Sequence, residues 1–284
     1  MTRYLITGAT GMLGTDLQRV LADREVTALS RVALDVSDLA AVRAAVAGHD
    51  VVINAAAYTK VDDAETNEGA AHLVNAVGAQ HLAIAARESD ARLVQLSTDY
   101  VFNGSATSPY AEDAPLDPIS AYGRTKADGE RLAVAEHPDG TWIIRTAWLY
   151  GAGGPNFAKT MRRLAMGNDT VSVVDDQLGQ PTWTGDLAAQ IVSLIDSAAP
   201  AGSYHGTNSG QATWFEFACE IFRAAGLDPE RVLPTSSTTF VRPAARPAYS
   251  VLGHDNWRTA NLPAMRDWRE ALSEASATGA TSPE

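Results

Sequence analysis

Residues 3–14 read Arg3-Tyr4-Leu5-Ile6-Thr7-Gly8-Ala9-Thr10-Gly11-Met12-Leu13-Gly14. The apolar start predicts a short β-strand, and Leu13, Leu17 and Leu21 then recur at helical spacing. Three glycines between a strand and a helix are typical of a turn whose backbone closely approaches a pyrophosphate, which the N–H groups of the helix start then bind. Glycine turns also join strands to helices without any ligand. The stretch therefore predicts a strand–turn–helix unit and a candidate phosphate site.

Strands and helices alternate along the first 150 residues. Apolar, strand-like runs follow at 26–31, 50–54, 91–96 and 142–150, and helical stretches separate them. This alternation predicts an α/β fold with a Rossmann-type, doubly wound parallel sheet. After 151–155, Gly-Ala-Gly-Gly-Pro, the elements become shorter and mixed, which predicts a smaller C-terminal α+β substrate-binding domain.

We divide the chain accordingly. Residues 1–150 and a returning segment at about 182–209 form the predicted dinucleotide-binding domain. Residues at about 151–181 and 210–275 form the predicted substrate-binding domain, with a helix expected over 262–275. Residues 276–284 are small and polar, so we expect a flexible tail.

Composition excludes several classes of partner. The net charge of −12 and pI near 4.9 argue against nucleic acid and against an anionic membrane surface, since both need a basic face. The chain enters a strand within three residues and has no apolar run as long as a membrane span, so we expect neither a secretion signal nor a membrane anchor. A single cysteine, Cys219, fits the reducing cytoplasm. The six histidines lack paired-ligand spacing, so we expect no metal.

The catalytic prediction depends on three side chains. Thr98 ends a predicted strand, and Tyr122 and Lys126 lie four residues apart, hence on one face of the helix after the next loop. A ketone accepts hydride on carbon only if its oxygen is stabilised and protonated. Tyr122 supplies that proton if a neighbouring ammonium lowers its pKa, and Thr98 donates a second hydrogen bond. A Tyr-x-x-x-Lys pair also occurs by chance, but with the glycine turn and Thr98 it predicts an NAD(P)H-dependent oxidoreductase.

The cofactor prediction favours NADPH, with NADH as the alternative. The second strand ends at Ser30 and Arg31, without the acid that usually binds the ribose hydroxyls of NAD, and Arg31 suits a 2′-phosphate. A solvated arginine is the alternative reading of that position. The residues expected to contact the cofactor are Gly8, Gly11, Met12, Leu13, Gly14, Ser30, Arg31, Asp35, Val36, Ala55, Ala56, Ala57, Tyr122 and Lys126. The loop at 103–119, between the catalytic segments, is a candidate substrate cover.

Several longer stretches carry a family resemblance. They are the runs 54–62, 97–104, 145–150, 175–182, 242–243 and 246–250. With the Thr7 to Gly14 turn and the Tyr-x-x-x-Lys pair, they resemble the extended short-chain dehydrogenase/reductases and, within them, the dTDP-4-dehydrorhamnose reductase family. The resemblance covers nearly the whole chain.

The resemblance implies reduction of the 4-keto group of dTDP-4-dehydro-6-deoxy-L-mannose to dTDP-L-rhamnose. It implies the catalytic set Thr98, Tyr122 and Lys126, and it allows a homodimer. We nominate Arg242 and Arg246 for the diphosphate because an acidic protein needs a local cation there. The full set of expected substrate contacts is Thr98, Asp99, Tyr100, Tyr122, Trp148, Arg242 and Arg246.

Three other functions need weighing. Nucleotide-sugar 4,6-dehydratases of the superfamily carry Thr-Asp-Glu, whereas Tyr100 occupies the glutamate position here, which argues against dehydration. A reductase of a different dTDP-4-keto-6-deoxyhexose, for secondary-metabolite deoxysugars, stays open. A non-catalytic subunit like the regulatory subunit of methionine adenosyltransferase is disfavoured because the acid–base set is intact. Metal positions known in family dimers are not clearly matched, so no metal is expected.

Overall fold

The computed structural model describes residues 1–283. Its strands are β1 Arg3–Thr7, β2 Glu25–Leu29, β3 Val51–Asn54, β4 Arg92–Thr98, β5 Thr141–Thr146, β6 Leu149–Tyr150, β7 Val171–Val174, β8 Leu178–Gly179, β9 Thr182–Trp183, β10 Gly202–His205, β11 Ala212–Thr213 and β12 Val232–Thr235.

The helices surround these strands in both halves of the chain. They are α1 Met12–Val20, α2 Leu39–Val46, α3 Val61–Ala64, α4 Glu68–His72, α5 Gly78–Glu88, α6 Ala121–Glu136, α7 Phe157–Gly167, α8 Thr184–Asp196, α9 Trp214–Ala224, α10 Asp255–Thr259 and α11 Trp268–Ala277. A π-helical turn, Leu73–Val77, joins α4 to α5, so that these elements form one continuous helix that is locally widened.

Six strands form the central sheet in the order β2-β1-β3-β4-β5-β10, and every neighbouring pair is parallel. The carboxyl ends of parallel strands share one edge, and the strand order reverses between β1 and β3, where open α/β sheets bind ligands. The predicted Rossmann-type, doubly wound sheet is confirmed. The returning strand β10 lies within the segment that the sequence assigned to this domain.

The period-two pattern of the strands builds a core on each face of the sheet. Tyr4 and Ile6 pack in one core with side chains of α1 and α8, whereas Leu5 between them packs in the other with α2 and α5. Both faces are therefore covered by helices, and the ligand-binding edge stays open.

The smaller part of the fold has a core of its own. Three two-stranded pairs, β7 with β12, β6 with β9 and β8 with β11, contact α7, α9 and α11. Phe217 and Trp268 are fully buried in that core, with their rings edge to face at 5.8 Å.

The predicted domain boundary is wrong at the late segment. Trp257, in α10, packs in the core of the large sheet, and its indole N–H donates to the carbonyl oxygen of His205 at 2.8 Å. The segment before it also returns to the large domain, because Tyr110 pairs with Leu252. Residues at about 249–265 therefore join the two parts of the fold instead of belonging to the smaller one.

The end of the chain also differs from expectation. The last helix begins at Trp268 and not at Leu262, because Asp267 caps it and Pro263 precedes it. The predicted flexible tail is wrong for the described residues up to 283. Thr281 is buried and accepts a hydrogen bond from Arg162 at 2.8 Å. Glu284 lies outside the described residues.

The glycine turn shows why two of its residues lack a side chain. Gly8 has φ +66°, and a Cβ there would lie 2.6 Å from the backbone of Ala55. A Cβ on Gly14 would lie 2.4 Å from the carbonyl oxygen of Gly8. Both distances are far below van der Waals contact, so α1 lies against the turn only because these positions are glycine.

We expect Gly14→Ala to lower the free energy of unfolding by about 1–3 kcal/mol or more, because the added methyl group overlaps backbone atoms that cannot move away. Gly69→Ala is the matched control, since a Cβ on Gly69 in α4 meets nothing within 4 Å. There the better helix former should add roughly 0.5–1 kcal/mol. Urea unfolding measures both, and equal effects of the two substitutions would contradict the crowded turn.

Candidate active site

A cleft of about 820 Å³ opens at the carboxyl edge of the large sheet and is closed on its far side by the smaller part. Every residue predicted to contact the cofactor lines this cleft except Ser30. Of the predicted substrate contacts, Thr98, Asp99, Tyr100, Tyr122 and Trp148 line it. The sequence motifs therefore converge on one site.

The glycine turn forms one end of the cleft. Gly11 precedes α1 without a side-chain cap, so N–H groups of the first helical turn are free to bind an anion. Residues 153–155 line the same cleft beside this turn, since a Cβ on Gly153 would lie 3.2 Å from Cα of Met12. Helix α1 is nine residues long, and its positive N-terminal end suits a diphosphate.

A cation and an acid border the neighbouring part of the cleft. Arg31 and Asp35 both line it, and both are exposed. Hydrogen bonds from Ser37 hold the pKa of the Asp35 carboxyl below its usual range, and the charge of Arg31 adds to this effect. Arg31 suits a 2′-phosphate and Asp35 suits ribose hydroxyls. The glycine cradle, the free helix end and these two side chains together fit a dinucleotide.

Helix α6 carries the predicted acid–base pair. The side chain of Ser120 caps this helix by accepting a hydrogen bond from Gly123 at 3.1 Å, which fixes where the helix starts. Tyr122 and Lys126 then lie one turn apart on the face that lines the cleft. The ammonium of Lys126 is buried and donates to the carbonyl oxygen of Leu96, on β4, at 2.5 Å.

The pKa of Tyr122 departs from the expectation drawn from the sequence. We expected the Lys126 ammonium to lower it, but burial dominates and raises the pKa of the phenol to about 12. The Thr98 hydroxyl partly offsets this effect, and the charge of Asp99 adds to it. In the free protein Tyr122 is therefore protonated at neutral pH, as a proton donor must be.

Burial has the opposite effect on the lysine. It lowers the pKa of Lys126 to about 8, and the nearby carboxylate of Glu130 works against that shift. Lys126 is therefore mostly charged at neutral pH but loses its proton in mildly alkaline solution.

A buried chain of hydrogen bonds aligns the strand ends beneath the site. Thr7, Asn54 and Gln95 are in register on β1, β3 and β4. Thr7 Oγ1 donates to Asn54 Oδ1 at 2.6 Å, and Asn54 Nδ2 donates to Gln95 Oε1 at 2.7 Å. Gln95 Nε2 donates to the Leu96 carbonyl oxygen, the same atom that receives Lys126. The lysine is thereby tied to three strands at once.

Asp99 lies buried beside Thr98, whose hydroxyl donates to its Oδ1 at 2.9 Å. Burial raises the pKa of this carboxyl to about 6, although the hydroxyl groups of Ser250 and Thr98 lower it. Asp99 Oδ2 and Thr146 Oγ1 are buried without a well-formed hydrogen bond among the described residues. Both residues line the cleft, so this wall offers polar atoms to a ligand.

Trp148 has φ +46°, in the left-handed region that a bulky residue rarely adopts. Its indole stacks on Trp214 at 3.6 Å with 9° between the planes, and Trp214 also lines the cleft. The sequence reasoning missed Trp214 as a site residue. The capping box of Thr213 and Glu216 marks the start of α9 at Trp214, but no local pattern in the sequence marks Trp214 as a site residue.

Three predicted features lie outside the cleft. Arg246 makes two hydrogen bonds of 3.0 Å to the carboxylate of Asp62, and Arg242 lies 3.6 Å from it. Ser30 instead uses its carbonyl oxygen to accept from Ala33 and Leu34 in the turn after β2. The 103–119 loop packs against residues 247–252 and contributes no residue to the wall of this cleft, so its role as a substrate cover stays a prediction.

Among residues 1–283, no group of three or more histidine, cysteine, aspartate or glutamate side chains is arranged to hold a metal ion. Every helix in the same part of the chain is too short or too polar to span a membrane.

Comparison with known proteins gives consistent results. The family model described as the RmlD substrate binding domain matches residues 2–280. A dTDP-4-dehydrorhamnose reductase of Streptomyces griseus is 53% identical over 96% of this chain and 92% of its own. A probable dTDP-4,6-dihydroxy-2-methyloxan-3-one 4-ketoreductase of Streptomyces antibioticus is 53% identical over 96% and 94%. The solved structure of dTDP-4-dehydrorhamnose reductase from Bacillus anthracis in complex with NADP is 39% identical, with a TM-score of 0.94 over 98% and 100% of the two chains.

The raised pKa of Asp99 makes a prediction about stability. Above the folded-state pKa of about 6, the buried charge lowers the free energy of unfolding by about 3 kcal/mol. Asp99→Asn should restore most of this free energy at pH 7. The gain should shrink as pH falls through 6 and vanish below about 4, where the carboxyl is neutral in both folded and unfolded chains.

Urea unfolding at several pH values measures this gain. Asp255→Asn is the control, because Asp255 is largely exposed and its loss should change stability by less than about 0.5 kcal/mol. A gain for Asp99→Asn that does not vary with pH would rule out desolvation of the charge as its cause.

Proposed function

Because this chain belongs to the dTDP-4-dehydrorhamnose reductase family, as its sequence predicted, we propose that it reduces the 4-keto group of dTDP-4-dehydro-6-deoxy-L-mannose to give dTDP-L-rhamnose. It is an NAD(P)H-dependent oxidoreductase, and the relative from Bacillus anthracis, solved with NADP, supports NADPH as the cofactor. NADH stays the alternative, because Asp35 beside Arg31 also suits unphosphorylated ribose.

One observation carries the proposal. Thr98, Tyr122 and Lys126 share one wall of the cleft whose other end is the glycine turn. The turn offers phosphate-binding N–H groups, and the opposite wall offers a proton donor and hydrogen-bond donors for a carbonyl oxygen. A dinucleotide and a keto sugar fit between them with the reacting groups adjacent.

The chemistry assigned to the chain is proton transfer and orientation. NADPH, when bound, supplies the hydride. Tyr122 holds the proton for the ketone oxygen, and its raised pKa keeps that proton in place until negative charge develops on the oxygen. Thr98 turns its hydroxyl from Asp99 to the same oxygen and fixes its position. Lys126 favours the phenolate that remains.

The proposed substrate contacts begin with cleft residues that follow the end of β4. Asp99 and Thr146 present buried oxygen atoms that lack well-formed hydrogen bonds, which suits the hydroxyl groups of a sugar. The stacked pair of Trp148 and Trp214 presents a flat apolar surface beside them. Tyr100 occupies the position where dehydratases of the superfamily carry glutamate, which supports reduction over elimination of water.

A second substrate has its own support. The relative from Streptomyces antibioticus is named as a ketoreductase of a different dTDP-linked sugar and is 53% identical to this chain, the same identity as the rhamnose enzyme. Reduction of another dTDP-4-keto-6-deoxyhexose in secondary-metabolite deoxysugar synthesis is therefore the alternative. The two differ in the orientation of the sugar towards the nicotinamide and not in the catalytic residues.

The setting of the enzyme is also a proposal. A reducing cytoplasm suits the buried free thiol of Cys219, and the acidic surface argues against nucleic acid and anionic membranes as partners. A homodimer stays a prediction from the family resemblance, and the absence of a bridging metal stays a prediction from the sequence. The two-part division of the chain and the individual residue roles are likewise proposals.

A substrate panel tests the function. The purified protein is incubated with NADPH and each of several dTDP-4-keto-6-deoxy sugars, loss of NADPH absorbance is followed, and products are identified by NMR. We expect dTDP-L-rhamnose from dTDP-4-dehydrorhamnose at the highest kcat/KM. A higher value for a different sugar would establish the alternative, and no turnover of any member would reject both.

Tyr122→Phe should lower kcat by about 10²- to 10⁴-fold while NADPH binding, measured by fluorescence titration, survives, because only the transferred proton is removed. Lys126→Met should weaken both turnover and NADPH binding. Tyr204→Phe is the matched control. Tyr204 lies on the edge strand β10, and its phenol hydroxyl donates to the carbonyl oxygen of Pro200. Removing this hydroxyl should leave kcat unchanged. Near-normal turnover of Tyr122→Phe would show that the proton donor is misassigned.

A further inference from the structure

The next turn of α6 after Lys126 buries a carboxylate that the proposed reaction does not use. Glu130 is 4% exposed and lies four residues after Lys126, on the same face of the helix. It forms a two-pronged ion pair with Arg145 on β5, with Nη2 to Oε2 at 2.8 Å and Nε to Oε1 at 3.0 Å. A buried ion pair is often no more stable than apolar residues of the same size, so it needs another explanation.

Three strands fix the position of this pair. Ser97 on β4, Arg145 on β5 and His205 on β10 are in register across the sheet. The hydroxyl of Ser97, the residue before Thr98, donates to Glu130 Oε1. Nη1 of Arg145 lies 3.3 Å from Nε2 of His205 and donates to the carbonyl oxygen of Glu112 at 2.9 Å. The carboxylate is therefore held from the sheet as well as from its own helix.

The histidine in this group is neutral. Its Nδ1 lies 2.9 Å from the carbonyl oxygen of Gly253 and must donate to it, which leaves Nε2 to accept from Arg145. Burial and the charge of Arg145 hold the pKa of His205 well below its usual range. The neighbouring Glu112 has its carboxyl group engaged by the N–H of Asn256 at 2.9 Å. Burial raises the pKa of Glu112, whereas this bond and the charge of Arg145 lower it. The ion pair of the group is the one between Glu130 and Arg145.

Lys126 is the cation that gains from this arrangement. Its ammonium is buried and has the Leu96 carbonyl as its hydrogen-bond acceptor. A buried ammonium tends to lose its proton unless a negative charge is near. Among the charged groups around α6, the Glu130 carboxylate is the one that acts on Lys126 to keep the proton, whereas Asp99 acts on Tyr122.

We infer that Glu130 is a positioning residue that supplies the counter-charge for the Lys126 ammonium, while Arg145 and Ser97 hold its carboxylate in place. The effect on Lys126 is a property of the free protein. Its value for catalysis rests on the proposed function, since Lys126 acts there as a charged group.

The first test measures the titration of the Lys126 side chain directly. The chain has three lysines, Lys60, Lys126 and Lys159, so the side-chain signals of ¹³C-lysine-labelled protein are few. The signal of Lys126 is assigned by its loss in Lys126→Met. In the free wild-type protein we expect its titration midpoint near pH 8. In Glu130→Gln we expect a midpoint roughly one pH unit lower, as for removal of a nearby opposite charge.

Glu130→Gln leaves Arg145 buried without its partner and risks misfolding. The double variant Glu130→Gln with Arg145→Gln keeps a neutral hydrogen-bonding pair and should recover thermal stability lost in the single variant, yet keep the lowered midpoint. Glu136→Gln is the matched control, because Glu136 lies on the same helix and pairs with Arg87 at the surface. A wild-type midpoint in the folded double variant would overturn the inference.

Kinetics then separate this inference from the proposed function. At pH 8 the charged fraction of Lys126 in the double variant should be about fivefold lower than in the wild type, and kcat/KM should fall with it. The deficit should shrink at lower pH, which a merely structural role would not produce. A deficit that is equal at all pH values overturns the inference. A shifted midpoint in a protein whose wild type reduces no sugar would reject the proposed function and leave the counter-charge assignment standing.

Discussion

The burial of the Lys126 ammonium is the constraint on which the rest of the site depends. Water would stabilise its charge, but the cleft wall removes that water, and burial brings its pKa down to about 8. The protein replaces the water with a carbonyl oxygen at the end of β4 and a carboxylate on the next helical turn. Both replacements require α6 to lie at a fixed height against the sheet, and the Ser120 cap fixes where this helix starts.

Much of the fold and of the catalytic set was predictable because its signals are local. The glycine turn, the alternation of strands and helices and the four-residue spacing of Tyr122 and Lys126 each involve neighbours in the chain. The glycines at positions 8 and 14 are visible in the sequence, and steric crowding in the structure explains why no other residue occurs there. The longer motifs added the family because they recur in order over most of the chain.

The remaining features depend on contacts between distant segments. Arg246 is an attractive cation in the sequence, but its partner Asp62 lies 184 residues away. Trp214 lines the site only because it stacks on Trp148, whose unusual backbone conformation no local pattern indicates. The phenol of Tyr122 has a raised pKa because burial outweighs nearby charge, and burial is a property of the assembled fold. The place of residues 249–265 follows from the same kind of long-range packing.

Residues 248–253, here called the strap, run between the two parts of the fold, and this has a consequence for how such enzymes diverge. Residues 248–253 contact β8 on one side and Tyr110 on the other, so the strap is shared by both halves of the molecule. A single recombination between the genes of two relatives, placed near residue 150, would separate the 103–119 loop of one parent from the strap that packs against it. Exchange between relatives therefore keeps these packing contacts only when the loop, the strap and the smaller part are exchanged together.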